Sequence, residues 1–313
     1  MVIVKIFQGI GNQLFQYAYG RALSMRTGNA FKMDISYYIN YAELTQYGFT
    51  YKREYGLNNF NIVEDVATAE EVHSAQTVDG SNRISYYLNR KINERAPYYR
   101  KKHVKEIDTV FDPNLLKVKD GSYIEGYYTS EKYFKEYRGQ ILKEFTLKKQ
   151  VSEQNAEVIK RMQNTESVCI SIRRTNFLSN PLHNVCTEQY YNDGLKAMND
   201  LVKNMRVFIF SDDNEWVLNN FHIPYEHEFV THNYPDFYED LRLMTNCKHH
   251  VIPNSTFSWW GAWLSQHPDK KIIAPHRWLN SETIDYSTVI PEDWIKIETK
   301  NDAVGYHKEP AKK

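Results

Sequence analysis

The chain has 313 residues, 42% of them hydrophobic and 25% charged, which is ordinary for a globular protein and long enough for about two domains. Its 39 lysines and arginines balance 39 aspartates and glutamates, so no overall charge attracts nucleic acid, and any bound anion must be held by a local cluster. The three cysteines have no C-x-x-C spacing, which argues against a disulfide framework and against a zinc site.

The first predicted elements are a strand at residues 2–7, a loop containing Gly9 and Gly11, and a helix that ends near residue 28. This loop lacks the third glycine of a dinucleotide-binding motif, so it is equally well an ordinary turn. Asn12 and Gln13 are polar residues at the start of the helix and are candidates to face a cleft. The N-terminus shows no signal peptide, and no apolar run approaches the roughly 18 residues of a membrane helix. We therefore expect a cytoplasmic protein without an integral membrane segment.

The periodicity is weaker from about residue 35 to residue 125, where it predicts helices and loops. A strand at 123–125 then leads to Ser130, which is predicted to cap a helix that continues through Arg138.

The second half alternates strands and helices with short connections, which is the pattern of βαβ units around a parallel sheet. One helix face is predicted from Tyr191 to Val202 and another from Phe237 to Met244. This α/β pattern predicts domains at 1–153 and 154–300 and a tail at 301–313. The predicted strands lie near 167–172, 206–211, 226–230, 249–253 and 271–275.

Polar clusters follow four of these strands, where ligands of open α/β sheets bind. They are Arg173–Arg174, Ser211–Asp213, His276–Trp278 and the turn 254–258. In the turn, Ser255, Thr256 and Ser258 lie at the start of a helix, whose unpaired N–H groups and positive dipole end favour a phosphate.

Each cluster also has a structural interpretation. The serines and Asn254 are ordinary helix caps, the tryptophans after them are core residues, and the arginines can form salt bridges instead of binding phosphate. Asp212 and Asp213 can bind a purine edge or a ribose hydroxyl, or cap a helix. His249 and His250 point to opposite faces of a strand, cannot chelate one ion together, and are interpreted as structural.

Taken together, these motifs resemble glycosyltransferase family 11, the inverting α-1,2-fucosyltransferases that use GDP-fucose. The resemblance rests on segments spread over most of the chain. They are Gly9–Ala18, Gly126–Phe134, Arg173–Arg174, Phe210–Trp216, Asp240–Met244 and Asn254–Trp263.

This resemblance implies a GT-B fold with two Rossmann-like domains facing a cleft, and a GDP-sugar donor with no metal or other cofactor. It implies that Arg174 and the 255–258 turn contact the pyrophosphate, that Asp212 lies near the nucleoside, and that Asn12 reaches across from the N-terminal domain. The expected acceptor is a galactose-terminated glycan, with peripheral contact to a lipid-linked glycan and none to nucleic acid. The candidate catalytic residues are Arg173 and Arg174, and the candidate substrate-binding residues are Gly11, Asn12, Gln13, Asn176, Ser211, Asp212, Asn254, Ser255, Thr256, Phe257 and Ser258.

The chain departs from the His-x-Arg-Arg-x-Asp motif that is usual in this family. Ser171 replaces the histidine and Asn176 replaces the aspartate. An amide cannot act as a general base, so the base is unassigned. The alternatives are another GDP-sugar transferase, with a different linkage or with GDP-mannose, and a non-catalytic GDP-sugar-binding protein.

Overall fold

The computed structural model describes residues 1–39 and 53–299, which form two compact units. The first unit is Met1–Lys148 and the second begins at Lys149. The predicted domain boundary after residue 153 lies close to this division. The predicted tail at 301–313 lies outside the described residues.

The first unit contains a four-stranded parallel sheet in the order β2-β1-β4-β3. Helix α1 packs against it so closely that a Cβ on Gly20 would lie 2.6 Å from Val4 Cγ2. The helix ends at Gly28, whose φ of 72° is the left-handed conformation that glycine adopts without strain. The strands are β1 (Val2–Lys5), β2 (Phe31–Asp34), β3 (His103–Lys105) and β4 (Tyr123–Glu125), and the helices are α1 (Ile10–Thr27), α2 (Ser36–Ile39), α3 (Ala69–Gln76), α4 (Arg83–Arg95) and α5 (Arg138–Glu144).

The prediction of a helix capped by Ser130 is wrong. Two short 3₁₀ turns, Glu131–Tyr133 and Lys135–Tyr137, replace it, and the α-helix begins only at Arg138. The Ser130 side chain caps nothing. Tyr133 is buried instead against other tyrosine rings of the core, and this tertiary packing prevails over the local capping preference.

The second unit is a six-stranded parallel sheet in the order β7-β6-β5-β8-β9-β10. Counted from β5, this is the 3-2-1-4-5-6 order of a Rossmann fold. All five predicted strands are confirmed, with ends shifted by at most two residues, and the short edge strand β10 was not predicted. The strands are β5 (Glu166–Ile172), β6 (Met205–Ser211), β7 (His227–Phe229), β8 (His249–Val251), β9 (Ile272–Pro275) and β10 (Ile295–Ile297). The predicted α/β class is confirmed, and the second unit has the predicted Rossmann-like sheet.

The helices of the second unit bury the predicted faces, with one exception. Tyr191, Leu195 and Met198 are buried in the core, whereas Phe237 begins its helix with an exposed ring. None of the helices within residues 1–39 and 53–299 is long and apolar enough to cross a bilayer. The helices of this unit are α6 (Glu153–Gln163), α7 (Thr175–Leu178), α8 (Glu188–Leu201), α9 (Asn214–Asn220), α10 (Phe237–Asn246) and α11 (Thr256–Leu264).

Candidate functional site

The candidate site lies at the carboxyl ends of β5, β6 and β8, which are neighbours in the second sheet. The chain leaves β5 towards β6 on one side and later returns as β8 on the other side. The crevice between β5 and β8 is therefore the topological switch point, where open α/β sheets bind their ligands. Arg173 and Arg174 follow β5 on one side of it, and the 254–258 turn follows β8 on the other.

A buried hydrogen bond joins the two sides of the crevice. Ser171 Oγ, at the end of β5, lies 2.7 Å from Ser258 Oγ, in the first turn of α11. Ser258 was predicted to bind substrate, but its hydroxyl is buried and already has a protein partner. Ser171, which stands where the family usually has histidine, thereby fixes the helix start relative to the arginine loop.

We expect Ser258→Ala to destabilise the second unit by about 1–3 kcal/mol, because the Ser171 hydroxyl is left buried without its partner. Ser171→Ala should cost a similar amount, and the double variant should cost less than the sum of the two. Urea unfolding of all four proteins in a double-mutant cycle measures this coupling. Additive effects would show that the two hydroxyls act independently.

The 254–258 turn presents backbone donors to the crevice. The backbone N–H groups of Thr256, Phe257 and Ser258 make no hydrogen bond within the part of the chain that the structure describes. Ser255 is the N-cap residue, yet its side chain makes no capping hydrogen bond. Capping therefore does not explain the serine, and three N–H groups at the positive end of a helix remain available to an anion.

Asn254 fixes the position of this turn through two hydrogen bonds to other loops. Its amide donates to the His183 carbonyl oxygen at 3.0 Å and to the Trp278 carbonyl oxygen at 2.9 Å. Both amide hydrogens are used and the residue is buried. Asn254 therefore positions this turn, and its contact with substrate stays a prediction.

The tryptophans that follow the turn are core residues, as the structural interpretation predicts. Trp259, Trp260 and Trp263 are all buried on α11, and Trp259 Nε1 donates to the Val289 carbonyl oxygen at 2.8 Å. They anchor the helix whose N-terminus faces the crevice.

Arg174 is held by two contacts that leave part of its guanidinium unused. Its Nε donates to Asp213 Oδ2 at 3.1 Å, and its Cζ lies 3.3 Å from the centre of the Trp216 ring. Neither terminal amino group of Arg174 makes a hydrogen bond to any of the described residues. The predicted salt bridge is present, yet the Nη pair that suits phosphate oxygens is still available.

Arg173 lies in a tighter network. It forms an ion pair with Asp212 at 3.1 Å and donates to Asn176 Oδ1 at 2.9 Å, with Cζ 5.3 Å from the Phe177 ring centre. Asn176 was predicted to bind substrate. Its Oδ1 orients Arg173, and its contact with substrate stays a prediction.

One of the two aspartates has the capping role that was left open for both. Asp213 caps α9 by accepting from the Trp216 N–H at 3.2 Å. Asp212 accepts from the Arg174 N–H at 2.8 Å and from the Thr175 hydroxyl. Ser211 donates its hydroxyl to the Ile172 carbonyl oxygen at 3.0 Å, so it too shapes the loop.

Two partners of Arg174, the Trp216 ring and the Asp213 side chain, were not predicted. Trp216 lies three residues after Asp213, one helical turn along α9. The aromatic residue at this spacing was the signal that the sequence offered. The sequence alone does not show that its ring lies beneath Arg174, because the fold brings the two together.

The candidates Gly11, Asn12 and Gln13 lie in the first turn of α1, in the first unit. Gln13 is fully buried, donates to the Gln8 and Glu54 carbonyl oxygens, and accepts from the Gly56 N–H. It therefore ties loops together, and its contact with substrate stays a prediction. Gly11 is also buried. Asn12 is half-buried, and its side chain makes no hydrogen bond with the described part of the chain.

His249 and His250 lie in β8, and His276 follows β9. His276 Nδ1 accepts from the Thr299 N–H at 3.1 Å, and Nε2 lies 3.2 Å from Glu298. His249 and His250 are buried in β8, and burial lowers the pKa of each imidazole. No group of three His, Cys, Asp or Glu side chains within residues 1–39 and 53–299 is arranged to hold a metal ion.

Asp240, from one of the family motifs, lies in a separate polar cluster and accepts from Asn233 Nδ2 at 2.8 Å. Burial raises the pKa of this carboxyl to about 6. Since the unfolded carboxyl ionises near pH 4, the fold loses stability as the pH rises from about 4 to about 6, and the loss persists above that range.

Asp240→Asn should remove this dependence. Relative to the native protein, the variant should gain about 2 kcal/mol between pH 4 and pH 7, measured by urea unfolding. Asp200→Asn, an exposed carboxylate on α8, is the matched control and should show no such gain. A parallel pH profile for the native protein and Asp240→Asn would contradict the assignment.

Known proteins similar to this chain align along almost its whole length. An alpha-1,2-colitosyltransferase of Escherichia coli is 28% identical over 306 residues, covering 95% of this chain and 99% of that protein. The O-antigen biosynthesis glycosyltransferase WbnK of Escherichia coli is 27% identical over 303 residues, covering 92% and 98%. Among solved structures, the fucosyltransferase NodZ from Bradyrhizobium is 13% identical with a TM-score of 0.44, over 83% of this chain and 91% of that one.

The family model described as glycosyl transferase family 11 matches residues 1–298. This match covers both units and every motif on which the resemblance rests. The chain belongs to glycosyl transferase family 11.

Proposed function

We propose that this glycosyltransferase moves L-fucose from GDP-fucose to the 2-hydroxyl of a terminal galactoside, with inversion at the anomeric carbon. One observation carries the donor half of this proposal. Within the described residues, three N–H groups of α11 and the Nη groups of Arg174 have no hydrogen-bond partner, and they lie on the two sides of one switch-point crevice. These are the donors that a pyrophosphate needs.

In the proposed step, the acceptor oxygen attacks the anomeric carbon of fucose as the bond from that carbon to the β-phosphate oxygen breaks. The bonding electrons leave with GDP, and the acceptor proton is released. Negative charge grows on the departing phosphate. Arg174 and the N-terminus of α11 stabilise that charge, at about 3 kcal/mol for each well-placed donor.

The described side chains of the crevice supply no evident general base. Asn176 is an amide that orients Arg173, and the Asp212 carboxylate already accepts from Arg174 and Thr175 and pairs with Arg173. We therefore assign most of the rate enhancement to stabilisation of the leaving group. We propose that this reaction takes place in the cytoplasm.

A second donor is favoured by the relative named for colitose, which is 28% identical to this chain. Colitose lacks the 3-hydroxyl of fucose. A site that hydrogen-bonds that hydroxyl discriminates strongly between the two sugars, whereas an apolar site discriminates weakly. Competition between GDP-fucose and GDP-colitose for one acceptor distinguishes the two donors.

The test is GDP release from GDP-fucose, with and without lactose, in the presence of EDTA. Release that depends on lactose, followed by an α-1,2 linkage in the product, supports the proposal. Release of GDP only from another GDP-sugar would show that the donor is that sugar and not GDP-fucose. Tight donor binding without turnover over a broad panel of β-galactosides would favour the non-catalytic sugar-nucleotide-binding protein.

A further inference from the structure

Helix α4 turns its apolar side chains towards solvent. Ile84, Leu88 and Ile92 are spaced four residues apart, so they form one stripe on the helix. Their exposed fractions are 74%, 57% and 66%. None of the residues of this 13-residue helix is buried. Large exposed apolar stripes of this kind mark surfaces that bind something.

The polar side of the same helix contacts the protein. Asn89 Nδ2 donates to the Asp79 carbonyl oxygen at 2.8 Å, and Asn93 Oδ1 accepts from the Lys102 N–H at 2.8 Å. Ser85 and Asn82 form a capping box at the helix start. The helix is therefore fixed by its polar side, which is the reverse of an ordinary surface helix.

Positive charge is concentrated beside the apolar stripe. Residues 83–102, which we call the α4 surface, contain seven arginines and lysines and one acidic residue, Glu94, although the whole chain has a formal net charge of zero. Glu94 is paired with Arg90 at 2.8 Å. Tyr87 is about half exposed at the edge of the stripe, a location typical of aromatic side chains at a membrane interface.

We propose that the α4 surface docks onto a bilayer that contains anionic phospholipid. The apolar stripe would enter the boundary between headgroups and acyl chains, while the arginines and lysines pair with lipid phosphates. Anionic lipid is favoured because its charge complements the arginines and lysines of the α4 surface. A purely apolar protein partner would leave these basic residues without counter-charges. Such docking holds the enzyme at a membrane whichever sugar donor it uses.

Co-sedimentation of the full chain with vesicles tests this proposal. We expect binding to phosphatidylcholine vesicles with about one third phosphatidylglycerol, little binding to phosphatidylcholine alone, and loss of binding at about 0.5 M salt. Replacing Arg83, Lys91 and Arg95 by glutamine should weaken binding on the order of 100-fold, at about fivefold per charge. Ile84→Ser, Leu88→Ser and Ile92→Ser together should weaken it at least about tenfold.

Matched controls come from exposed residues of the second unit. Lys160→Gln, Lys196→Gln and Lys203→Gln together, and Leu201→Ser with Leu218→Ser, should leave binding unchanged. All variants should keep the native melting temperature and GDP release with soluble acceptors. Equal binding to both vesicle types, or no effect of the α4 variants, would overturn the proposal. So would a dimer that dissociates in the serine variant without any vesicle binding, because that result assigns the stripe to a second copy.

Discussion

Arg174→Ala should lower kcat by about 10²–10³-fold, because it removes a donor that acts on charge developing in the transition state. The stacked guanidinium already lies in position, with Nε held by Asp213 and one face on Trp216. Its terminal amino groups therefore need little reorganisation when the phosphate leaves. Steady-state GDP release at saturating acceptor measures the loss, and calorimetry with GDP measures the accompanying loss of affinity.

Arg174→Lys should recover only part of the activity, since an ammonium neither stacks on Trp216 nor presents two parallel donors. Arg206→Ala is the matched control. Arg206 is also an ion-paired arginine of this unit, bonded to Glu226 and Glu228, but it lies at the start of β6, at the opposite end of the strand. The Arg206→Ala variant should lower the free energy of unfolding without changing kcat. Unchanged turnover and GDP affinity in Arg174→Ala would exclude Arg174 as a ligand of the pyrophosphate.

The positions of the site loops could be predicted from the sequence because strand ends are local features. A buried apolar run followed by polar residues predicts both the strand and the edge at which its loop emerges, and this holds for Arg174, Asp212 and Ser255. Parallel pairing then brings the loops after β5, β6 and β8 together whatever the detailed packing.

The role of each polar side chain could not be predicted, because it depends on which partner the fold brings within hydrogen-bond distance. Gln13, Asn254 and Ser258 have the side chains of ligands, yet each is buried and bonded to the protein. Nothing in their sequence context distinguishes a serine that faces a crevice from one that faces another serine 87 residues away. Buried polar groups must be satisfied, and only the tertiary structure shows how.

Trp259→Ala should destabilise the second unit by about 3–5 kcal/mol, because it removes a fully buried indole and leaves a cavity. The Val289 carbonyl oxygen also loses the donor that lies 2.8 Å away. Tryptophan fluorescence is a selective probe, because all six tryptophans lie in the second unit. Urea unfolding followed by fluorescence therefore measures this unit, while far-UV circular dichroism reports on both.

The conservative variant Trp259→Phe loses the hydrogen bond but leaves a smaller cavity, so it separates the two contributions to stability. We expect it to destabilise the second unit about half as much as Trp259→Ala does. GDP should raise the unfolding midpoint of the native protein, and it should raise that of Trp259→Ala less, because the buried tryptophans hold the helix whose first turn provides the N–H donors. Leu218→Ala, on the exposed face of α9, should be nearly neutral. Equal protection of both proteins by GDP would show that donor binding does not depend on the anchoring of α11 by Trp259.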